Sequence, residues 1–520
     1  MTRKQVLILV TLLLGVSMGA LDAGIISPAL PIINVQLFYP AGLPELTSWA
    51  ITIYVLGTVV SGPLMAKFSN IYGRKTIYIL DILLFTAGSL ISGSAELLGG
   101  KTHGWWILLA GRLVQSLGNG GITPVAVAEI GRIFPPEKRG LALGLFGSIF
   151  GITSVIGPLA GGLLTATVGW NWVFYINLPL AVVVIFMALK KLENSPEEAG
   201  LAFDWRGALL LSTLLICFMY GLTQLGEDEA GQRSANIIGS FFTTAVWPYL
   251  LVGLLLVGPL LWIEQRVANP IVPVRILNNR QLLVGYLLTV IGGSTMGLLI
   301  FLPQAARYIL GTDTAASGSL VVPLALTTVF VTPASGILLD KRGSRFVLVL
   351  GSAFAALGAG LFSFWVDDLF SFISSTVILG IGFGAIIGSP IRYILINEVS
   401  EQDRAPALSA SAVFNQTGVL LGTSVIGAII STSTIILSKN QGQNAFNLPL
   451  AIVKPIMQPA IQQSFGIIAI SLTCSCLLAL FLLKSQASER ATSARHLATT
   501  LPEKELTGAG STPAKGPKRL

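Results

Sequence analysis

Apolar positions in this chain come in long runs separated by short polar stretches. The runs are too long and too numerous for the buried core of a soluble domain, and about 20 consecutive apolar residues cross the hydrocarbon of a bilayer as one helix. The pattern predicts fourteen membrane-spanning helices, near residues 6–30, 46–66, 76–96, 105–131, 141–166, 171–190, 207–225, 245–265, 281–303, 317–338, 346–366, 370–393, 406–434 and 464–484. The expected fold class is an all-α polytopic membrane protein.

The polar breaks carry a second signal. With both ends of the chain on the cytoplasmic side, 26 of the 32 Lys and Arg residues fall in cytoplasmic segments, where positive residues concentrate. A wrong helix count would scramble that asymmetry, so an even number is expected, in a cell membrane (plasma or inner) with both termini cytoplasmic. Composition agrees: 53% of residues are hydrophobic, 11% are charged and the mean hydropathy is +0.78, whereas soluble domains carry about 25% charged residues. The net charge of +8 follows from this topology and from attraction to anionic headgroups of the bilayer, and gives no reason to expect nucleic acid.

Other classes drop out on specific residues. The opening MTRK and its apolar run resemble a secretory leader, but the run is too long, contains Asp22 and lacks a small-residue cleavage site, so it reads as a retained first helix. Cys217, Cys474 and Cys476 lie inside predicted helices with no His nearby, which leaves no disulfide framework and no metal site in view. AELLGGKT at 95–102 has Ala95 where a phosphate loop needs its first Gly, and GIGFGA at 380–385 lies inside a helix, where glycines serve packing. No catalytic constellation and no cofactor site is visible, so the chain reads as a carrier, not an enzyme. Residues 485–520 predict a disordered cytoplasmic tail.

An internal repeat is also legible. EKRGLALGLFGSIFGITSVIGPLAG places Gly157 eighteen residues after Arg139, and QDRAPALSASAVFNQTGVLLGTSVIG places Gly422 eighteen after Arg404. Each is preceded by a short basic loop, SNIYGRK around Gly73 and LDKRGSR around Gly343, and the two landmarks are offset by 270 and 265 residues. Duplicated parallel halves around a midplane site are a common transporter plan. The expected domains are a six-helix half at 1–195, two inserted helices at 196–280, a second six-helix half at 281–484 and the tail at 485–520.

Taken together, GPLMAKFSNIYGRK, GRLVQSLGNGG, GITSVIGPLAGG and GWNWVFYINLP resemble the signature motifs of the major facilitator superfamily. LDAGIISPALP and FDWRG resemble its fourteen-helix drug:proton antiporter branch. The resemblance implies a major facilitator fold and multidrug efflux: a secondary active exporter of lipophilic or amphipathic compounds, driven by proton antiport through alternating access. Export of a lipid or glycolipid by the same fold is the alternative, and a non-transporting sensor or scaffold a third reading. The lipid reading draws on segment 437–459, expected to be a long external connection able to meet the outer leaflet or a lipid-accepting partner.

Candidate residues follow from charge and depth. An ionised Asp near the middle of a span costs roughly 2.5–3.5 kcal/mol on insertion scales, so Asp22 needs a partner or a task. Arg112 lies about 30 Å above the inner end of its helix and Asp22 about 25 Å from the start of its own, so the two share a depth. They are the expected proton-coupling pair, with a static ion pair as the other reading, and the resemblance associates the Arg of GRLVQ with proton coupling. It further implies a cytoplasmic gate built from Asn70, Gly73, Arg74 and Lys75 and, in the second copy, from Asp340, Gly343 and Arg345. The first copy departs from the motif, with Ala66 for Gly and Asn70 for Asp. Asp81 is a secondary acid that either supplies the missing charge or tolerates a wet vestibule, and Glu129, within a turn of Arg132, is another. Gly151, Gly157, Pro158, Gly161 and Gly162 form the antiporter motif of the fifth helix, where its glycines permit close approach and its bend is expected to meet the second half. Gln115, Asn119, Phe174, Asn177, Gln304, Phe414, Asn415 and Gln416 are the expected lining of the substrate cavity.

Overall fold

In a computed structural model of the chain, residues 2–37, 46–194, 203–225, 241–267, 270–271, 278–299, 301–312, 314–387, 389–441 and 450–482 are described. The tail at 485–520 and positions 442–449 of the anticipated external connection lie outside the described residues. Backbone groups in hydrocarbon must be satisfied within their own segment, and the apolar runs accordingly fold as helices. Long helices are α1 (Arg3–Gln36), α2 (Leu46–Ile71), α3 (Arg74–Gly93), α4 (Ala95–Ile133), α5 (Pro136–Thr167), α6 (Asn177–Lys191), α7 (Trp205–Thr223), α8 (Trp247–Glu264), α9 (Arg280–Leu299), α10 (Val322–Arg342), α11 (Ser344–Phe364), α12 (Leu369–Ile387), α13 (Arg404–Gln441) and α14 (Leu450–Leu480). Short helices Trp172–Tyr175 and Leu302–Leu310 precede α6 and α10, and Pro390–Asn397 prolongs α12.

Thirteen of these are long and apolar enough to cross a membrane. The expectation of fourteen spans depends on α4, which has the length but is too polar to qualify on hydropathy: it carries Arg112, Gln115, Ser116 and Asn119 where its neighbours carry Leu and Val. Two boundaries also differ from expectation. Helix α4 begins ten residues early, because the chain is already helical before a kink at Gly100 (φ 52°). Most of the anticipated connection at 437–459 is helical, since α13 runs to Gln441 and α14 starts at Leu450 and continues through Pro455 and Pro459. It is not a long irregular loop.

The repeat is visible in the packing. In the first half α1 packs on α5, α2 and α3 on α4, and α3 on α6; in the second half α9 packs on α13, α10 and α11 on α12, and α11 on α14. Every helix has been advanced by eight. The halves meet along α2 with α13 and α5 with α10, pairs that exchange under the same shift, while α7 and α8 pack on each other and α7 lies against α2 and α13. Gly73 and Gly343 begin α3 and α11 with φ of 83° and 82°, a backbone that a Cβ disfavours and glycine adopts freely. Both copies of the loop thus turn in one geometry at the end of the bundle that carries the short basic loops, here the basic end.

Candidate functional site

Five helices of the first half bring polar side chains to one buried point. Asp22 of α1 and Arg112 of α4, 0% and 1% exposed, meet with Nη1 at 2.5 Å from Oδ2. Gln115 lies one turn beyond Arg112 and therefore on the same face of α4. Its Oε1 accepts from Arg112 Nη1 at 2.9 Å, and its Nε2 donates to Asp22 Oδ1 at 2.7 Å and to Ser89 Oγ of α3 at 2.8 Å. Asn177, which opens α6, donates Nδ2 to the same Ser89 Oγ at 3.0 Å. From α2, Ala50 accepts from Arg112 Nε at 3.1 Å and the Tyr54 ring lies 3.9 Å below the guanidinium carbon.

Each oxygen of the carboxylate thus receives one donor and the pair is electrically neutral as a unit. Charge-assisted bonds of this kind are about twice as strong as neutral ones. Removing one partner of a buried pair costs about 3–5 kcal/mol because the other charge stays behind uncompensated. A proton added to Asp22 does the same to Arg112, so proton occupancy and the geometry of this cluster are linked.

At the basic end the halves are tied together by matched contacts. Arg139, at the start of α5, donates Nε to Phe134 O just past α4 in its own half and Nη1 to Asn397 Oδ1 in the other, at 2.9 and 2.5 Å. Arg404, at the start of α13, donates Nε to Ile396 O in its own half and Nη1 to Gly131 O of α4 in the other, at 3.2 and 3.3 Å. Asp340 of α10 accepts from the Gly140 and Leu141 amides in the first turn of α5, at 2.8 and 3.1 Å. Asn70 of α2 instead donates to Gln402 O, at 2.6 Å, just before α13.

Arg74 reaches Glu129 of α4 at 3.5 Å and Glu401 of the second half at 3.4 Å, and Glu129 also holds Arg132 at 2.6 and 3.0 Å. The acids that meet the gate arginine are therefore Glu129 and, from the second half, Glu401. Asp81 does not stand in for Asn70: it is fully buried between α3 and α4, and its carboxylate has no hydrogen-bond partner among the described residues. Lys75 donates to Leu189 O within its own half, Gly343 supplies the turn, and Arg345 is exposed.

The glycines of α5 divide between two partners. Gly144 and Gly151 face α10 of the second half, where a Cβ would press on Pro333 and on Val329 at 2.9 Å. Gly157, Pro158 and Gly161 face Gly24 and Ile25 of α1, two and three residues beyond Asp22, and Gly162 has open space. The Gly157–Gly161 part of the antiporter motif thus backs the Asp22 cluster, whereas Gly151, its first member, and the part of α5 before it touch the other half. Close approach explains the split, because α1 offers its own glycine at that level.

The expected cavity lining is scattered. Gln115 and Asn177 are buried parts of the Asp22 cluster, and Phe174 packs edge-on to Trp170 inside an apolar cluster with no exposed surface. Polarity alone does not show which face of a helix these residues occupy. Asn119 is half-buried beside Gly19 of α1 and bonds Thr58 at 3.4 Å. Phe414 stacks on Tyr286 at 4.9 Å, Asn415 and Gln416 are half-buried on α13, and Gln304 is exposed on the short helix after α9. Ser89 and Tyr54 went unread, although counting depth finds Ser89, about 22 Å along α3 from Arg74. Arg139 and Arg404 were read as repeat landmarks only.

A bundle of apolar helices in two repeated halves, tied at one end and holding a buried ion pair, defines a polytopic membrane carrier. Its sequence matches the profile of the Major Facilitator Superfamily over residues 12–423 and 282–513, and the chain belongs to that superfamily. It is similar to YfiU, an uncharacterized MFS-type transporter of Bacillus subtilis, at 34% identity over 80% of this chain and 78% of the relative. It is also similar to Multidrug resistance protein 3 of the same organism, at 28% identity over 80% and 78%. Among solved structures, the human organic anion transporter MFSD10 superposes with a TM-score of 0.63 at 13% identity, covering 92% of this chain and 100% of that one. That likeness is one of fold.

Proposed function

We propose that this carrier is a secondary active exporter of lipophilic or amphipathic compounds, driven by proton antiport through alternating access. The basic end and both termini face the cytoplasm of a cell whose plasma or inner membrane holds the protein. The observation that carries the reading is the Asp22–Arg112 pair, in contact at 2.5 Å with almost no exposure inside the first half. Multidrug resistance proteins among the relatives support the choice of substrate class.

In the arrangement seen here the basic end is closed and Asp22 is held by Arg112 and Gln115. A proton arriving from outside neutralises Asp22, and its bond to Arg112 weakens. The guanidinium, left without its counter-charge, favours an arrangement in which it finds other partners or solvent. The proton leaves inward after the change, and the pair re-forms. Glu129, Arg74, Asp340 and the two crossing arginines hold the basic end shut during the outward-facing phase.

The test uses purified protein in liposomes with a pH-sensitive dye inside, an imposed proton gradient, and added ethidium, tetraphenylphosphonium or neutral lipophilic drugs. Proton movement triggered by one of these compounds is expected, with loss to background in Asp22→Asn. Silence with every compound in the wild type would sink the reading. The described parts of 437–459 are helical and supply no observation that favours lipid export over this reading.

A further inference from the structure

One buried acid takes no part in either the ion pair or the gate. Asp81 lies on α3 seven residues beyond Arg74 and eight before Ser89, about 10 Å and 12 Å from them along the axis. Its side chain is 0% exposed, and neither carboxylate oxygen has a hydrogen-bond partner among the described residues. Helix α4 presses against it at two points. A Cβ at Gly118 would run into the Asp81 carbonyl oxygen and the Phe85 nitrogen, and a Cβ at Gly121 would run into the Asp81 carboxyl itself.

Every charged group on the surrounding elements is occupied elsewhere or distant. On α4, Arg112 is nine residues before Gly121 and bound to Asp22, while Glu129 and Arg132 are eight and eleven residues beyond it and bound to each other. On α1, Lys4 pairs with Glu193, Arg3 lies beside it at the helix start, and Asp22 is in the ion pair. On α2, Lys67 lies in the last turns next to the gate, and on α6, Lys190 and Lys191 are in the last turn, with Lys190 over the Phe186 ring. On α3 itself, Lys75 donates to Leu189 O and Tyr78 donates to Thr11 O and Leu12 O. Among the described residues, no basic side chain pairs with the Asp81 carboxyl.

An ionised carboxylate withdrawn from water with neither cation nor donor is penalised by several kcal/mol, and the neutral acid is not. We propose that Asp81 is a second proton-binding site of this protein, occupied in the arrangement with the basic end closed, whose proton leaves when α3 and α4 separate over Gly118 and Gly121. On leaving, the O–H bond breaks, the proton passes to water and a hydrated carboxylate remains; the reverse step rebuilds the contact. One structure then holds two membrane-embedded acids in opposite settings, Asp22 against the Arg112 guanidinium and Asp81 against glycine. Raising the pH withdraws protons from Asp81 and so disfavours the closed contact. Only the link to transport rests on the proposed antiport; proton occupancy of Asp81 does not.

The test is infrared spectroscopy of the purified protein in liposomes at neutral pH. A protonated-carboxyl band is expected that is lost in Asp81→Asn, an isosteric neutral variant, and retained in Asp22→Asn. Absence of the band in the wild type, or its survival in Asp81→Asn, would overturn the proposal. The second measurement is alkylation of Thr332→Cys, at the buried α5–α10 contact, in a variant whose native cysteines are replaced by Ser. Its rate, divided at each pH by that of a freely exposed cysteine thiol so that the growth of the thiolate with pH is removed, should rise several-fold from mildly acidic to mildly alkaline pH and lose that rise in Asp81→Asn; an unchanged rise would refute the coupling to closure. A band that behaves as expected while no compound drives proton movement would uphold Asp81 and reject the antiport reading.

Discussion

The two copies of the gate loop occupy equivalent places yet close the basic end by different chemistry. Asp340 takes two amide hydrogens from the first turn of α5, whereas Asn70 gives one hydrogen to a carbonyl just before α13. The partner helices explain the difference. Aligning Arg139 with Arg404 sets Gly140 and Leu141 against Ala405 and Pro406. Proline has no N–H, so an acid at position 70 would face one amide where Asp340 faces two. The missing carboxylate and the missing donor are a matched pair, and the charge absent from the loop reappears as the Arg74–Glu129–Glu401 contacts. Loss of a motif residue in one copy therefore says little until the opposite surface has been read.

The comparison can be broken by mutation, with alkylation of the Thr332→Cys reporter from the basic end as the common measure of opening. Asp340→Ala should have the largest effect, since two hydrogen bonds to a carboxylate are lost across the interface. A destabilisation of about 3 kcal/mol is expected, which is about a hundredfold faster alkylation. Arg139→Gln and Arg404→Gln should each cost about 1.5–3 kcal/mol and match each other within a few-fold, because their contacts correspond; strongly unequal rates would undo the claim of equivalence. Asn70→Ala should cost only about 1 kcal/mol, for one neutral bond. If it opens the end as far as Asp340→Ala, the two copies are not chemically distinct.

The smallest and most specific effect concerns the matched pair. Asn70→Asp places a carboxylate against the Gln402 carbonyl and should weaken closure by about 0.5–1.5 kcal/mol, the worth of one net bond. Adding Pro406→Ala supplies an amide and should recover part of that loss. No recovery in the double variant would mean that Pro406 plays no part in the difference.

The sequence made some of this arrangement readable and concealed the rest, for physical reasons. Runs of apolar residues located the helices, because hydrocarbon leaves the backbone no alternative. Asp22 and Arg112 met as depth counting required, since a helix rises by a fixed amount per residue. Helix α4 was harder to read at its start, where polar residues and Gly100 hide a helix that tertiary packing nonetheless holds. Segment 450–459 precedes the apolar run that marks the last span, yet it is helical and Pro455 and Pro459 both sit inside α14. Gln115 and Asn177 were placed in a cavity because polarity marks a residue as unusual without saying which neighbour it faces. The Arg74–Glu129 contact joins the start of one helix to the end of the next, and no spacing rule along a single helix reveals it.

The divided loyalty of α5 has a mechanical meaning. Below Gly151 the helix is fastened to the opposite half, and from Gly157 upward it is fastened to α1, the helix of Asp22. Between the two attachments stands Ser154, whose carbonyl is deprived of its usual helical donor by Pro158 four residues on. A rod clamped at both ends and thinned at one place bends there. Any motion that peels the lower arm from α10 while the upper arm stays on α1 is concentrated within about two turns of α5. A force that opened the basic end would thereby be delivered to the backbone beside the ion pair.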